Sequence, residues 1–188
     1  ISHYYLIDYG IDSTLLLFNS QQISTWIFDK YSIDDGSIQY YTNTFTINPN
    51  FWYVDGIFGV GLKRDVKGYY KNIIEALQVC PHIISIDIPS GIYCDTGLTA
   101  GSNILANLTV TMGYPKLGHY FNHGLVSSGD LYILDIGLKA LPFPNKYIQQ
   151  IEHDDASYLY PEHSENIHKY NKGKLICIAG SKGYTGAG

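Results

Sequence analysis

Two stretches of this 188-residue chain share one grammar: an apolar run that carries an aspartate at or near its end and breaks at once on a turn rich in glycine or proline. In the first, Phe51 to Asp55 leads into GIFGVGLKRD; in the second, Ile83 to Ile88, broken only by Ser85 and Asp87, leads into Pro89-Ser90-Gly91. An apolar run with almost no polar face reads as a strand of a parallel sheet covered on both sides, so Phe51–Asp55 is expected to be a buried strand. Between the two runs, Tyr70, Ile73, Ile74 and Leu77 recur at helical spacing and predict a helix from about Gly68 to Val79. Further strands are expected at Ser13–Phe18, Ile38–Tyr41, Leu108–Met112 and Asp130–Ile136, with another helix over Gln21–Tyr31. Strands alternating with amphipathic helices are the rhythm of an α/β fold with a mostly parallel sheet.

After Leu138 the periodicity fades, and residues 139–172 are rich in Pro, His, Asn, Glu and Tyr, which predicts a linker between domains. A fresh strand is expected at Lys174–Ala179, followed by a glycine-rich turn. The division is therefore a domain over 1–138, a linker over 139–172 and the start of a second domain over 173–188. The chain opens on Ile1 and its one methionine is Met112, so the true amino terminus is expected to lie outside it.

Charge narrows the function classes. Net charge is -5 and 15% of residues are charged, which provides no basic stripe for a phosphate backbone and argues against nucleic acid as a partner. No apolar run approaches the roughly 20 residues that span a bilayer, so no membrane association is expected. Cys80, Cys94 and Cys177 are widely spaced, with neither CxxC metal spacing nor an even disulfide count, which fits a reducing, cytoplasmic compartment.

Ligands of open α/β sheets bind at the carboxyl edge of the strands, which is where Asp55 and Asp87 fall. The structural alternative is that each aspartate merely caps the loop after it. Gly59, Val60 and Gly61 would let backbone approach a ligand, and Lys63 with Arg64 adds positive charge suited to a phosphate, although no full GxGxxG or GxxxxGK[ST] is present. An ordinary solvated loop is the alternative there. His119 and His123 stand four apart, a spacing open to a metal pair but without a third ligand. His153 with Asp154 and Asp155, and His163 with Glu162 and Glu165, read as solvated surface. No GxSxG elbow occurs, which leaves carboxylate chemistry.

Taken together, VDGIFGVGLKRDVKG (54–68), ISIDIPSGIYCDTG (84–97), ANLTVTMGYPKLG (106–118) and GDLYILDIGL (129–138) resemble the NAD(P)H-hydrate epimerase family, also called YjeF amino-terminal domains. The resemblance spans Ile1 to Leu138. HKYNKGKLICIAGSKGYTGAG (168–188) resembles the opening of an ADP- or ATP-dependent NAD(P)H-hydrate dehydratase domain, a ribokinase-like α/β fold, and within it only the turn around Gly186 and Ala187 would touch that domain's substrate.

This resemblance implies a Rossmann-like three-layer α/β/α sandwich that interconverts the R and S forms of NADH and NADPH hydrated at C6 of the nicotinamide ring. By position in the family's motifs, Asp55 and Ser90 would contribute to a potassium site. Gly59, Val60, Gly61, Leu62, Lys63, Arg64 and Asp65 would line the substrate near its phosphates, and Asp87 would contact the nicotinamide or ribose. A role for Asp87 as general acid or base at the C6 hydroxyl is inferred from its place at a strand end. The family's GxGNNGGDG loop is expected just before a helix ending within Ile1–Tyr9 and is absent from this sequence, which leaves the expected site short of one wall. Two other functions stay open: a non-catalytic scaffold in an RNA-processing assembly, as some domains of the family are, and an unrelated nucleotide binder using GVGLKR as a phosphate loop. Self-association is left open as well.

Overall fold

The structure is a computed structural model that describes residues 13–17, 38–40, 46–139, 148, 151–159 and 176. The chain divides into two compact units, Ile1–Lys139 and Ala140–Gly188. In the first unit the described elements are strands β1 (Leu15–Leu17), β2 (Ile38–Tyr40) and β3 (Tyr53–Asp55), helix α1 (Gly68–Leu77), strands β4 (Ile83–Ile86) and β5 (Leu108–Met112), a 3-10 turn at Leu117–His119, helix α2 (Asn122–Ser127) and strand β6 (Asp130–Leu134). Strands β1 and β2 pair in parallel, and β3-β4-β5-β6 form a four-stranded sheet parallel throughout. This is the expected Rossmann-like α/β arrangement.

Helix α1 shows why the sheet and its crossover hold together. Its predicted apolar face is the one that packs: Ile73 and Ile74 are fully buried, Leu77 is buried, and Tyr70 lies half-buried against the same cluster. Val66, Cys80, Ile83, Ala100, Ile104 and Ala106 complete the cluster. Each fully buried isoleucine contributes on the order of 1.5–3 kcal/mol. The helix ends where Val79, two thirds exposed, falls off the apolar face.

The sheet centre departs from an aliphatic pattern. On β5 the inward positions are Thr109 and Thr111, both fully buried, and on β4 the buried Ser85 lies between Ile84 and Ile86. Buried hydroxyls need partners. Thr109 Oγ1 donates to the Ser128 carbonyl at 2.7 Å, whereas Ser85 and Thr111 turn to the two aspartates.

Two expectations are corrected. The run Phe51–Asp55 is not a buried strand throughout: only Tyr53–Asp55 is strand, and Phe51, Trp52 and Val54 are 60%, 62% and 50% exposed. It pairs only with β4 among the described residues, and no described element covers its outer face; Trp52 instead stacks on His82, with ring centroids 4.6 Å apart. Within the segment expected to be a linker between domains lies helix α3 (His153–Leu159). Its first turn carries Asp154 and Asp155, which suit the positive helix end, and Asp155 accepts a hydrogen bond from the Glu152 N–H at 3.0 Å. Its described side chains are exposed, so local capping rather than packing accounts for it. Finally, His119 and His123 do not share a helical face, because the first ends the 3-10 turn and the second belongs to α2.

The helix expected at Gln21–Tyr31, the segment Ile1–Tyr9, His163 with its two glutamates, Cys177 and the turn at Gly186–Ala187 lie outside the described residues. Of the strand expected at Lys174–Ala179, Ile176 alone is described, exposed and outside any regular element.

Candidate active site

The parallel order β3-β4-β5 brings the ends of three neighbouring strands to one edge, and with them Asp55, Asp87 and Thr111. The two aspartates occupy equivalent places in the sequence grammar and sit in contrasting surroundings.

Asp55, the last residue of β3, is 3% exposed. Its Oδ1 accepts from Ser90 Oγ at 2.6 Å and the Ile57 N–H at 3.3 Å, and its Oδ2 accepts from Ser85 Oγ and the Ser90 N–H, each at 2.8 Å. Four neutral donors thus surround one buried carboxylate, and no described cation pairs with it. Burial pushes its pKa above the usual carboxylate range, while the Ser90 and Ser85 hydrogen bonds pull against that. Ser90 Oγ also accepts from the Phe58 N–H at 2.9 Å, which ties the glycine loop after β3 to the turn after β4. Gly91 makes that turn possible: its φ is +92°, and a Cβ there would stand 1.9 Å from the Ser102 carbonyl oxygen. The hard oxygens gathered here, those of the Asp55 carboxylate, Ser90 Oγ and the Phe58 carbonyl, are of the type that suits a hard cation rather than a thiol-seeking metal, while two hydroxyls and two N–H groups already satisfy the carboxylate. The capping alternative also holds in part, since the bond from the Ile57 N–H is a loop cap.

Asp87 follows β4 with φ +72°, in the left-handed region that an Asp side chain tolerates better than most. Two interactions hold its backbone: its N–H donates to the Val110 carbonyl at 2.7 Å, and its carbonyl lies 2.9 Å from His119 Nε2. His119 is 2% exposed. Because its Nδ1 accepts from the Lys116 N–H at 3.0 Å, the ring proton belongs on Nε2 and is donated to Asp87. Burial lowers the His119 pKa below the ordinary imidazole value and the nearby Lys116 ammonium adds to that, so the ring is a neutral strut between two loops.

The Asp87 carboxylate forms an ion pair with Lys116 Nζ through Oδ1, and Thr111 Oγ1 lies 3.4 Å from the same oxygen. Asp87 and Lys116 side chains are 14% and 21% exposed. Lys116 Nζ also donates to Thr111 Oγ1 at 2.7 Å and to the Met112 carbonyl at 3.3 Å. Reasoning from sequence missed Lys116, Thr111 and the role of His119. The signal available was the YPKLG segment after β5, whose lysine stands where the third strand end reaches the same edge.

The glycine loop faces this group. Gly59 lies so that an added Cβ would meet Asp87 Oδ2 at 3.6 Å. Val60, Leu62 and Lys63 line one open cleft of about 440 Å³, shared with the turn from Tyr93 to Leu98. Gly59, Gly61, Leu62, Lys63 and Arg64 line a second of about 520 Å³ together with Ile57 and Phe58. Lys63 and Arg64 are exposed, and Asp65 accepts a hydrogen bond from Tyr93 Oη at 2.8 Å, which pins the loop's far end. The structure therefore brings together Asp55 with Ser90 and Asp87 with Gly59, and spreads the remaining loop residues along the two clefts.

Comparison with known proteins gives this geometry a context. Residues 17–118 match the family model described as YjeF-related protein N-terminus. The chain is 37% identical over 135 residues to a bifunctional NAD(P)H-hydrate repair enzyme of Thermofilum pendens, covering 71% of this chain and 25% of that protein. It is 37% identical over 143 residues to the bifunctional NAD(P)H-hydrate repair enzyme of Dictyoglomus turgidum, covering 71% of this chain and 27% of that one. An NAD(P)H-hydrate epimerase of Levilactobacillus brevis is 42% identical over 88 residues, covering 46% of this chain and 41% of that protein. The match thus spans about a quarter of the length of the two bifunctional relatives.

Proposed function

From the premise that this chain belongs to the family of YjeF-related protein N-termini, we propose that it interconverts the R and S epimers of hydrated NADH and NADPH. The observation that carries this reading is Asp87: a carboxylate held at a strand end by Lys116, Thr111 and His119, with one oxygen toward the glycine loop. The substrate carbon, C6, bears both a hydroxyl and the ring nitrogen, so its configuration is lost when one of those bonds breaks and reforms on the other face. Asp87 takes the hydroxyl proton as the C6–N1 bond breaks. The carbon becomes a carbonyl, the electron pair moves to N1 and through the ring's C2=C3 bond to the carboxamide, and the proton returns on closure. Lys63 and Arg64, exposed beside the clefts, bind the phosphates electrostatically. The Gly59–Gly61 backbone lets the ring approach Asp87.

Asp55 and Ser90, with the Phe58 carbonyl 3.3 Å from Ser90 Oγ, would hold a potassium ion. Such an ion would supply positive charge beside the substrate and balance the buried Asp55. In a longer protein of the bifunctional type, a dehydratase half using ADP or ATP would act on the S epimer, and the segment His168–Gly188 supports this by resemblance. The relatives above carry enzyme names, so the scaffold alternative draws no support from them.

The reading is tested by giving the purified protein the R hydrate of NADPH and resolving the epimers by chromatography over time. Appearance of the S form faster than in buffer is expected; binding of ADP without any conversion would point to a generic nucleotide binder instead. The potassium site is tested separately by thermal denaturation in KCl against choline chloride at equal ionic strength. A higher midpoint in KCl, lost in Asp55→Asn, is expected, and equal midpoints would remove the ion from the account.

A further inference from the structure

The two oxygens of the Asp87 carboxylate are in different states. Oδ1 is engaged by the ammonium of Lys116 and the hydroxyl of Thr111, while Oδ2 accepts no hydrogen bond among the described residues. It faces the Gly59 turn, where a methyl group would stand 3.6 Å away. All three protons of Lys116 are committed, to Asp87 Oδ1, Thr111 Oγ1 and the Met112 carbonyl, so the ammonium sits in a fixed socket at the end of β5. Its backbone N–H is held by His119, the same ring that holds the Asp87 carbonyl. A surface ion pair would leave both side chains free to swing. Here both are largely buried, and one imidazole spaces their backbones.

We propose, building on the epimerase reading, that Lys116 is a positioning residue for the reaction. With Thr111 it locks Oδ1 and so presents Oδ2 to the substrate through the gap that Gly59 leaves. Lys116 itself does not exchange the substrate's proton; it fixes the rotation of the carboxylate that does. Near-attack geometry is demanding, and a displacement of about 1 Å can cost about a hundredfold in rate.

The test is steady-state kinetics of the R-to-S conversion with the whole protein and three variants. Lys116→Met keeps the stem and removes the ammonium; kcat is expected to fall about a hundredfold with KM within about threefold. Lys116→Arg keeps the charge and is expected to recover part of that loss. Thr111→Val removes the second donor and is expected to lower kcat by about threefold to tenfold, again with KM nearly unchanged. Thermal midpoints establish that each variant folds. A Lys116→Met enzyme with wild-type kcat, or one whose whole loss lies in KM, overturns the proposal. If Lys116→Met does not fold, Thr111→Val decides, and an unchanged kcat there overturns it equally. A folded wild-type protein that converts no R hydrate is a separate result, which sinks the epimerase reading and this proposal with it.

Discussion

Asp55 ends β3 and Asp87, 32 residues later, directly follows the neighbouring parallel strand β4, yet one is enclosed by four neutral donors and the other is half engaged by a lysine. The difference teaches that position at a strand end sets where a carboxylate stands, while the strands and turns beside it decide what it can do. Asp55 is next to β4 and the Ser90 turn, which offer hydroxyls and amides. Asp87 is next to β5 and the turn after it, which offer a threonine and an ammonium. The first arrangement seals its carboxyl group with hydrogen bonds; the second leaves an oxygen available.

That contrast breaks most readily at Asp87. Asp87→Asn keeps a side chain suited to φ +72° but cannot take a proton, so R-to-S conversion is expected to drop by about a hundredfold or more while the fold persists. Undiminished conversion would remove Asp87 from the chemistry and with it the functional half of the comparison. At Asp55 the expected effect is on folding. Asp55→Ala strands the Ser85 and Ser90 hydroxyls and two backbone N–H groups, a loss of about 3 kcal/mol measurable by urea denaturation. A loss no larger than that of Asp87→Asn would mean the two carboxylates are structurally alike after all.

A smaller effect is expected from pH. His119 has a pKa lowered in the folded state, so below the ordinary imidazole range the unfolded chain binds a proton that the folded one resists. Stability contributed by the neutral ring is therefore present above the unfolded pKa and declines as pH falls toward the lower folded value. The groups facing the ring are Lys116, which opposes its protonation, and Asp87, which favours it. His119→Gln should flatten this part of the stability–pH curve, and an unaltered slope would show that other groups produce it. The smallest effect is at Gly59. A methyl there makes ordinary contact with Asp87 Oδ2 and nothing closer, so Gly59→Ala should fold normally and lose roughly threefold to tenfold in kcat. Wild-type kinetics in this variant would place the reacting carbon elsewhere than in front of Oδ2.

Much of the scaffold was legible because its signals are local. Apolar runs, the spacing of Ile73, Ile74 and Leu77, and the breaks at Gly56 and Pro89 lie within a few residues of what they specify, and they placed β3, α1, β4, β5 and β6. The weakness of that reading appears where neighbours matter. Phe51–Val54 has the composition of a buried strand, but exposure depends on what lies beyond it. Helix α3 was missed because capping by Asp155, not apolar periodicity, supports it.

By itself, then, the sequence determined an α/β fold with two aspartates at the carboxyl edge of a parallel sheet, since strand length, side-chain alternation and glycine breaks are properties of short segments. Only the tertiary structure decided which aspartate would be sealed and which would be poised. Ser90 reaches Asp55 from 35 residues away and Lys116 reaches Asp87 from 29, and those meetings are created by the order of the strands, which no local pattern encodes.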